Sequence, residues 1–309
     1  MAAHVVVAGN PAASGARDGA VLEQAVERLR AAGHDVLVLD AMDGPGLELE
    51  LRRHLQARRP DAVVVVGGDG TVHAAVNVLA TTGVPIGLVP AGAGNDVARS
   101  LRLPHDDVAR SIEHIVTALA DPQAALGRPV DAVHTSIGRW FAGVLSVGFD
   151  AAVTERANRM RRPRGRARYV VAVLLELARL TPHRYRMTID RDARQVEAVL
   201  LTVGNTASFG GGMRILPGAR PDDGLLDVLV AAPMSRRSLL RLLPKVFEGT
   251  HVRDARVGVE RGRVVTIDVT DGRKPEPVVY ADGERFGSLP LTLEVVPGAL
   301  RVLGSLAGS

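Results

Sequence analysis

Short β-branched apolar runs alternate with helical patterns over the first third of the chain. The predicted strands cover residues 4–8, 36–39, 62–66 and 85–89. The predicted helices cover residues 21–29, 47–55 and about 71–80. The run at 62–66 is apolar throughout, as in a strand buried on both faces. This alternation predicts a parallel sheet flanked by helices.

The pattern changes after Pro129. Apolar runs bounded by turn residues follow at 141–147, 185–189, 196–203, 225–230, 264–269, 278–281 and 291–296. Helical patterns interrupt them at about 167–180 and 235–248. Asp190-Arg191-Asp192 and Arg261-Gly262-Arg263 are typical of hairpin turns. Short strands separated in this way predict a mainly antiparallel β domain of sandwich type.

The chain of 309 residues is therefore expected to form two domains. Residues 1–128 form the α/β domain, and residues 129–297 form the β-rich domain, with the boundary near 121–129. We also expect that the C-terminal tail, about residues 298–309, can pack back onto the first domain.

Composition excludes several classes of protein. The chain has no cysteine, which excludes disulfides and thiolate metal sites. No apolar stretch reaches the roughly 18 residues of a spanning helix, and the N-terminus lacks the charged region of a signal peptide. The expected location is cytoplasmic, with peripheral association where the protein meets a membrane.

A glycine-rich loop follows the strand at 62–66. It consists of Gly67, Gly68, Asp69, Gly70 and Thr71. Glycines let backbone N–H groups approach phosphate oxygens, and the positive end of the following helix favours the same anion. The carboxylate of Asp69 is explained if it contacts a metal ion, a ribose hydroxyl or a basic partner. The alternative is a plain strand–turn–helix connection in which Asp69 caps the helix.

Two more loops are expected at the same edge of the sheet, where ligands bind in open α/β folds. The second loop, residues 92–96, includes Gly92, Asn95 and Asp96. Its alternative interpretation is again a helix cap by Asn95 or Asp96. The third is an N-terminal turn that includes Asn10, Pro11 and Ser14. The pairing of the first two loops favours a nucleotide site over isolated turns.

Other phosphate-binding and metal-binding patterns are absent. No Gly-Lys-Ser/Thr sequence occurs, and neither glycine loop has the third glycine of a dinucleotide fingerprint. The nine histidines are scattered and form no His-x-x-x-His pair. A generic P-loop ATPase or dehydrogenase is therefore disfavoured.

The ordered set of motifs resembles the diacylglycerol kinase catalytic family, whose superfamily includes sphingosine and other lipid kinases. The first half contributes Asn10-Pro11, Ser14-Gly15, the loop at 67–71 and Gly92-x-x-Asn95-Asp96-Val97-Ala98-Arg99. The second half contributes Gly204-Asn205, residues 210–213, Pro217-x-Ala219, residues 222–228 and Asp282-Gly283-Glu284. The Gly-Gly-Asp-Gly loop alone is shared with NAD kinases and phosphofructokinases, which implies that kind of fold for the first domain.

The resemblance implies a role for each matching residue. The 67–71 loop would hold ATP, with Asn10 and Thr71 near the nucleotide. Glu284 occupies the position of the general base, which takes the proton of a lipid hydroxyl. Asp223 matches a ligand of a structural Mg²⁺, with the carbonyls of Arg220 and Leu225 as co-ligands. Asp69 and Asp96 would join a polar network between this ion and the ATP site.

Two positions depart from the family pattern. Ala93 stands where the family usually has threonine, which removes one nucleotide contact. Ala16-Arg17 replaces a lysine near the N-terminus. Neither change removes the expected base or the main phosphate loop, so activity is expected.

Seven arginines with no intervening acid lie between Arg156 and Arg168. A solvated face is the commonest fate of such a run. Nucleic-acid binding is poorly supported, because aromatic residues are only 3% of the chain. Docking to an anionic membrane suits a lipid kinase better, since each arginine there adds about 1 kcal/mol. The sequence also leaves open whether the protein forms a homodimer.

The leading functional hypothesis is an ATP-dependent lipid kinase, with diacylglycerol converted to phosphatidic acid as the first expectation. One alternative is a soluble kinase of the NAD-kinase type. Another is a non-catalytic nucleotide or lipid sensor.

Overall fold

The computed structural model describes residues 2–9, 16–41, 43–160, 162–163, 166–273 and 276–304. Within them the strands are β1 (His4–Gly9), β2 (Asp35–Asp40), β3 (Ala62–Gly67), β4 (Pro85–Pro90), β5 (Arg128–Thr135), β6 (Trp140–Phe141), β7 (Val144–Gly148), β8 (His183–Ile189), β9 (Asp192–Ala198), β10 (Leu200–Gly204), β11 (Leu226–Ala231), β12 (Val257–Gly262), β13 (Val264–Val269), β14 (Val279–Ala281), β15 (Glu284–Gly287) and β16 (Leu291–Val302). The helices are α1 (Ala16–Ala31), α2 (Gly44–Ala57), α3 (Asp69–Leu79), α4 (Asp96–Ser100), α5 (Val108–Ala120), α6 (Phe149–Arg159), α7 (Arg166–Ala178) and α8 (Arg236–Glu248).

The first half is a parallel sheet with strand order β2-β1-β3-β4. Strands β1, β3 and β4 are buried along their whole length, which explains their uninterrupted apolar sequences. Helices α2 and α3 pack with the core on one face of this sheet, and α1 and α5 cover the other. The glycine loops thus leave the carboxyl ends of two adjacent strands, as predicted.

The second half is a sandwich of antiparallel strands. One sheet has the order β12-β11-β10-β7-β14-β15. Its inner face packs on β8, β13 and β16 around the buried aromatic side chains of Phe141, Tyr185 and Phe286. Its outer face is covered by α6, α7 and α8. The predicted fold class, α/β followed by a mainly antiparallel sandwich, is therefore confirmed.

Strand β16 joins the two halves. Its first residues pair with β13, and its last, Arg301 and Val302, pair in parallel with Pro85 and Ile86 of β4. Along its length it also pairs with β5, with a register shift between Val296 and Leu300. One sheet consequently runs through both halves.

The prediction was wrong at two connections. The segment Arg261-Gly262-Arg263 is not a hairpin, because β12 pairs with β11 in one sheet whereas β13 pairs with β8 and β16 in the other. The carboxylate of Asp190 accepts the N–H groups of Arg263 and Val264 where the chain crosses. The apolar run at 196–203 likewise divides into β9 and β10, which belong to different sheets.

Five elements were not predicted: α5, β5, α6, β12 and β15. The two helices carry charged residues within their apolar patterns, and β5 contains Pro129 as its second residue. None of the helices in the described part of the chain is long and apolar enough to span a bilayer.

Candidate active site

The two predicted glycine loops contact each other through their backbones. A Cβ on Gly92 would lie 2.5 Å from the Cα of Gly68, and a Cβ on Gly68 would lie 3.1 Å from the Cα of Gly92. Any larger residue at Gly92 would push the loops apart. The sequence therefore needs glycine here to bring two strand ends into one site.

Helix α3 begins at Asp69, with Gly68 as its N-terminal cap. Because the first N–H groups of a helix have no partner within it, the backbone at Asp69 and Gly70 can donate to an anion. The side chain of Thr71 folds back onto Gly67, where a Cβ would lie 2.5 Å from its Oγ1. This end of α3 has the chemistry of a phosphate site.

Asp69 does not cap α3. Its Oδ1 instead accepts the N–H of Val97, at 3.3 Å, from the second loop. Burial, together with the neighbouring carboxylate of Asp96, raises the pKa of Asp69 to about 6. Asp69 thus ties the two loops together and carries a carboxyl group that titrates close to neutrality.

Asp96 links the first half to the second. Its two carboxylate oxygens accept the N–H groups of Gly211 and Gly212 at 2.7 and 2.8 Å. Both glycines have positive φ, so their amides converge on one carboxylate. Both carboxylate oxygens of Asp96 are therefore engaged in a contact between the two halves of the chain.

Asn95 stabilises its own loop. Its Oδ1 accepts the N–H of Gly92 at 3.1 Å, and its Nδ2 donates to the carbonyls of Gly92 and His105. Its backbone is left-handed, with φ 53°, and its side chain forms no helix-cap hydrogen bond. A direct role for Asn95 at a nucleotide stays a prediction.

Glu284 reaches the first glycine loop from the other half. A Cβ on Gly70 would lie 2.7 Å from its Oε1. Glu284 starts β15 after a two-residue turn in which Asp282 and Gly283 both have positive φ, 51° and 82°. This is the hairpin turn that Asp-Gly favours, and it directs the carboxylate towards the phosphate loop.

Asp282 anchors that hairpin, and the sequence prediction assigned it no role. Its side chain is 2% exposed. One oxygen accepts the N–H groups of Gly143 and Val144 at 3.0 and 3.1 Å, and the other accepts that of Ala142 at 3.1 Å. Three amides on one buried carboxylate fix the position of the turn that carries Glu284.

His73 and Arg139 extend this anchor to α3. Arg139 donates to Nε2 of His73 at 2.9 Å, and Nδ1 of His73 lies 3.6 Å from Oδ2 of Asp282. Because Nε2 accepts, the ring proton is on Nδ1, which lies near the carboxylate without forming a hydrogen bond to it. The Arg139 guanidinium also lies 4.5 Å from the centre of the Phe286 ring. Helix α3 and the Glu284 hairpin are thereby held together.

The loop predicted to hold a metal lies at residues 220–225. Asp223 Oδ1 accepts the N–H of Leu225 at 3.2 Å, and its Oδ2 lies 3.9 Å from Arg261. The side chain of Arg220 pairs with Asp222. Among the described residues no cluster of three acid or histidine side chains could hold a metal. One carboxylate with backbone carbonyls is nevertheless an oxygen donor set that fits Mg²⁺.

Asp131, at 3% exposure, supports that loop and was not predicted. Its two oxygens accept the N–H groups of Gly224 and Gly298, both at 2.8 Å. No hydrogen bond between described residues joins Asp223 directly to Asp69 or Asp96. The predicted network from the metal loop to the nucleotide loop thus stays a prediction.

The predicted nucleotide residues Asn10, Pro11 and Ser14 lie outside the described residues. The arginine run is described in part. Arg156 pairs with Glu176 of α7, and Arg159 pairs with Glu155 at 2.7 Å. Arg161 and Arg164 also fall outside the described part. Arg156 therefore joins α6 to α7, whereas Arg159 pairs within α6 and stays exposed.

A cleft of about 930 Å³ runs along α6. Its lining mixes charged residues, among them Glu155, Arg159 and Arg179, with the apolar side chains of Phe149 and Val278. The end of α6 approaches the hairpin of Glu284, since Asn158 donates to the carbonyl of Gly283 at 3.4 Å. The cleft and the hairpin of Glu284 are therefore both next to α6.

The site is that of a phosphotransferase, with a phosphate loop in one half and a carboxylate delivered by the other. Residues 4–125 match the diacylglycerol kinase catalytic domain, and residues 143–304 match the YegS C-terminal NAD kinase beta sandwich-like domain. The chain belongs to the diacylglycerol kinase family of lipid kinases.

Individual relatives agree with this assignment. The diacylglycerol kinase of Mycobacterium tuberculosis H37Rv is 41% identical over 287 residues, covering 90% of this chain and 88% of the relative. The diacylglycerol kinase of Bacillus subtilis is 24% identical over 272 residues, covering 87% and 86%. A crystal structure of a diacylglycerol kinase from Bacillus anthracis superposes with a TM-score of 0.77 at 23% identity, covering 98% of both chains, which shows the same fold.

Proposed function

We propose that the protein uses ATP to phosphorylate the free hydroxyl of diacylglycerol. The contact between Glu284 and Gly70 carries the proposal, because it places a carboxylate against the start of α3. A phosphate held by the amides of that helix start would lie within reach of an alcohol that hydrogen-bonds to Glu284. The names of the relatives support diacylglycerol as the acceptor.

Glu284 acts as the general base. Phosphoryl transfer depends mainly on positioning and on neutralising charge, and a carboxylate within hydrogen-bond reach of the hydroxyl is sufficient to accept its proton. Asp282 and His73 hold the hairpin, so the carboxylate meets the hydroxyl in a fixed position. Gly68, Asp69 and Gly70 provide the backbone cradle for the triphosphate.

Asp223, with the carbonyls of Arg220 and Leu225, would hold Mg²⁺. When bound, the ion supplies positive charge that neutralises acidic groups between the halves. Asp131 contributes to this arrangement by fixing Gly224 of the loop.

The cleft along α6 would receive the acceptor lipid, and the arginines at 156–168 that do not serve helix packing would face anionic head groups. The cleft borders α7 at Glu176, and α6, which lines it, contacts the hairpin of Glu284 through Asn158. A substrate held in a bilayer could thus enter from the outer face of the sandwich, with its hydroxyl directed to the base.

The test is transfer of labelled phosphate from ATP to diacylglycerol in mixed detergent micelles. Glu284→Gln should abolish turnover and leave ATP binding within about twofold of wild type, because the phosphate cradle is unchanged. Glu294→Gln, an exposed position on β16, is the matched control and should keep full activity.

Other outcomes would contradict the proposal. Phosphorylation of a soluble acceptor instead of a lipid would indicate an NAD-kinase type of activity. ATP binding without turnover on any lipid alcohol would indicate a sensor. Full activity of Glu284→Gln would exclude Glu284 as the base.

A further inference from the structure

Helix α8 packs one face against the sandwich. It starts at a Ser235 cap, whose side chain accepts the N–H of Ser238, and it ends at Gly249 in the left-handed conformation. Leu239, Leu242 and Val246 are its buried residues. These three positions recur at helical spacing and satisfy the packing of the helix on the outer face of the sheet.

A second apolar stripe on α8 faces solvent. Leu240 is 47% exposed and Phe247 is 57% exposed, and Pro244 is exposed between them. The spacing i, i+4 and i+7 places the three on one line along the helix. An aromatic ring and a leucine left in water at these positions are not needed for the fold of the sandwich.

The polar face of α8 is strongly basic. Arg237, Arg241 and Lys245 lie on this face with a single acid, Glu248, and Arg236 lies beside the apolar stripe. Helices with such a basic face next to a narrow apolar stripe bind in the plane of a membrane surface, with the apolar side chains among the acyl chains. The charge complements anionic head groups.

The stripe on α8 adjoins a second one on α7. The guanidinium of Arg236 donates to the carbonyl of Ala178 at 2.6 Å, so the N-terminus of α8 lies against the C-terminus of α7. Leu240 and Phe247 lie four and eleven positions after Arg236, within about 40° of it around the helix. The stripe therefore starts close to the C-terminus of α7 and continues along α8.

Exposed apolar side chains are concentrated on these two helices. In the described part of the chain eleven large apolar residues are exposed, and six of them lie on α7 and α8. Those six are Tyr169, Val170, Leu174, Leu175, Leu240 and Phe247. Helix α7 also borders the cleft proposed to receive the lipid, through Glu176.

We propose that α8, through Leu240, Phe247 and its basic face, is a membrane-contacting element that docks the enzyme on an anionic bilayer. This inference rests on the proposed action on a bilayer lipid and adds a docking element distinct from the arginine run. Docking through α8 places the outer face of the sandwich, and with it the cleft along α6, against the lipid surface.

The test is cosedimentation with vesicles of phosphatidylglycerol and phosphatidylcholine. Leu240→Ser with Phe247→Ser should lower vesicle binding about tenfold or more, because both apolar anchors are lost. Leu49→Ser with Leu126→Ser, which removes two exposed leucines of the other half, is the matched control and should bind as wild type. Vesicles of phosphatidylcholine alone should bind much more weakly.

A second measurement does not depend on a loss of binding. Phe247→Trp should show fluorescence quenching by brominated acyl chains in the same anionic vesicles, above the signal of the native Trp140. Leu126→Trp should show none. Quenching at 126 and not at 247 would overturn the proposal.

The outcomes separate this inference from the proposed function, because vesicle binding requires no turnover. The α8 double variant should keep wild-type turnover on diacylglycerol in detergent micelles, whereas failure of the kinase proposal would remove turnover from wild type as well. Unchanged vesicle binding by the α8 variant would overturn the inference. So would a wild-type dimer that this variant converts to monomer with no change in vesicle binding, since α8 would then be a contact between copies.

Discussion

Oxygen Oε1 of Glu284 occupies the space in which a side chain of residue 70 would begin, 2.7 Å from the position of a Cβ on Gly70. Glycine is therefore needed at position 70 to leave room for the side chain of Glu284, which lies more than two hundred positions later in the sequence. The relationship makes the two halves of the enzyme one site.

Gly70→Ala should separate activity from stability. Alanine is favoured over glycine by up to about 1 kcal/mol inside a helix, so the free energy of unfolding should be unchanged or slightly higher. The methyl group displaces Glu284, and a misplacement of about 1 Å can cost roughly 100-fold in turnover. Denaturant unfolding and the micelle assay measure the two effects. Gly258→Ala, where a Cβ meets no atom within 4 Å, should alter neither property.

Asp282→Ala should destabilise the fold and lower activity together. Removing the carboxylate leaves the N–H groups of Ala142, Gly143 and Val144 without their acceptor, at a cost of about 3 kcal/mol. Urea unfolding at pH 7 would measure it. Asp192→Ala, at an exposed residue of the β8–β9 hairpin, should cost less than about 0.5 kcal/mol. Equal effects of the two changes would contradict the anchoring role of Asp282.

His73→Ala should lower kcat about tenfold with little change in the KM for ATP, because it frees the hairpin of Glu284 and leaves the phosphate loop in place. His73→Gln keeps an acceptor for Arg139 and a donor towards Asp282, so it should retain more activity than the alanine variant. Steady-state kinetics in micelles distinguish the two. A glutamine variant no better than alanine would indicate that ring packing against Phe286 is what matters.

Asp150 predicts a pH dependence of stability. Both of its carboxylate oxygens are buried, and burial raises the pKa of Asp150 to about 7. The unfolded carboxyl ionises near pH 4, so between about pH 4 and 7 the folded state binds the extra proton and stability falls as pH rises. Above pH 7 both states are ionised and the loss, on the order of 4 kcal/mol, is complete.

Asp150→Asn should remove this dependence. Thermal unfolding of wild type and of the asparagine variant, compared from pH 4.5 to 8, should diverge in favour of the variant as pH rises. Parallel curves would show that the carboxylate is stabilised by contacts other than those that the structure describes.

Much of the site could be predicted because its parts are local in sequence. An apolar run that ends in glycines predicts strand β3, the 67–71 loop and the start of α3. The Asp-Gly dipeptide before Glu284 likewise predicts a hairpin turn at that position. The roles of Asp282, Asp131 and His73 could not be read in this way. Their partners, such as Val144 for Asp282 and Gly298 for Asp131, lie well over a hundred residues away.

The errors in the fold have a similar cause. The run at 196–203 gives no indication that the chain changes sheets at Val199, since Ala198 at the end of β9 and Leu201 and Val203 of β10 are buried in the same core. Gly262 looks like a hairpin glycine, but it is there because a Cβ would lie 2.4 Å from Cγ2 of Ile189. Tertiary crowding, which leaves no local pattern in the sequence, therefore determined the glycine at position 262.

The continuity of β16 limits how the enzyme can move. Because a single strand is paired with β13 at one end and with β4 at the other, the halves cannot separate as rigid bodies without breaking those ladders. The register shift between Val296 and Leu300, with Gly298 at positive φ, is the one interruption within that strand. Opening and closing around a substrate should therefore occur as a bend at Gly298, and amide exchange there should respond to nucleotide before the flanking ladders do.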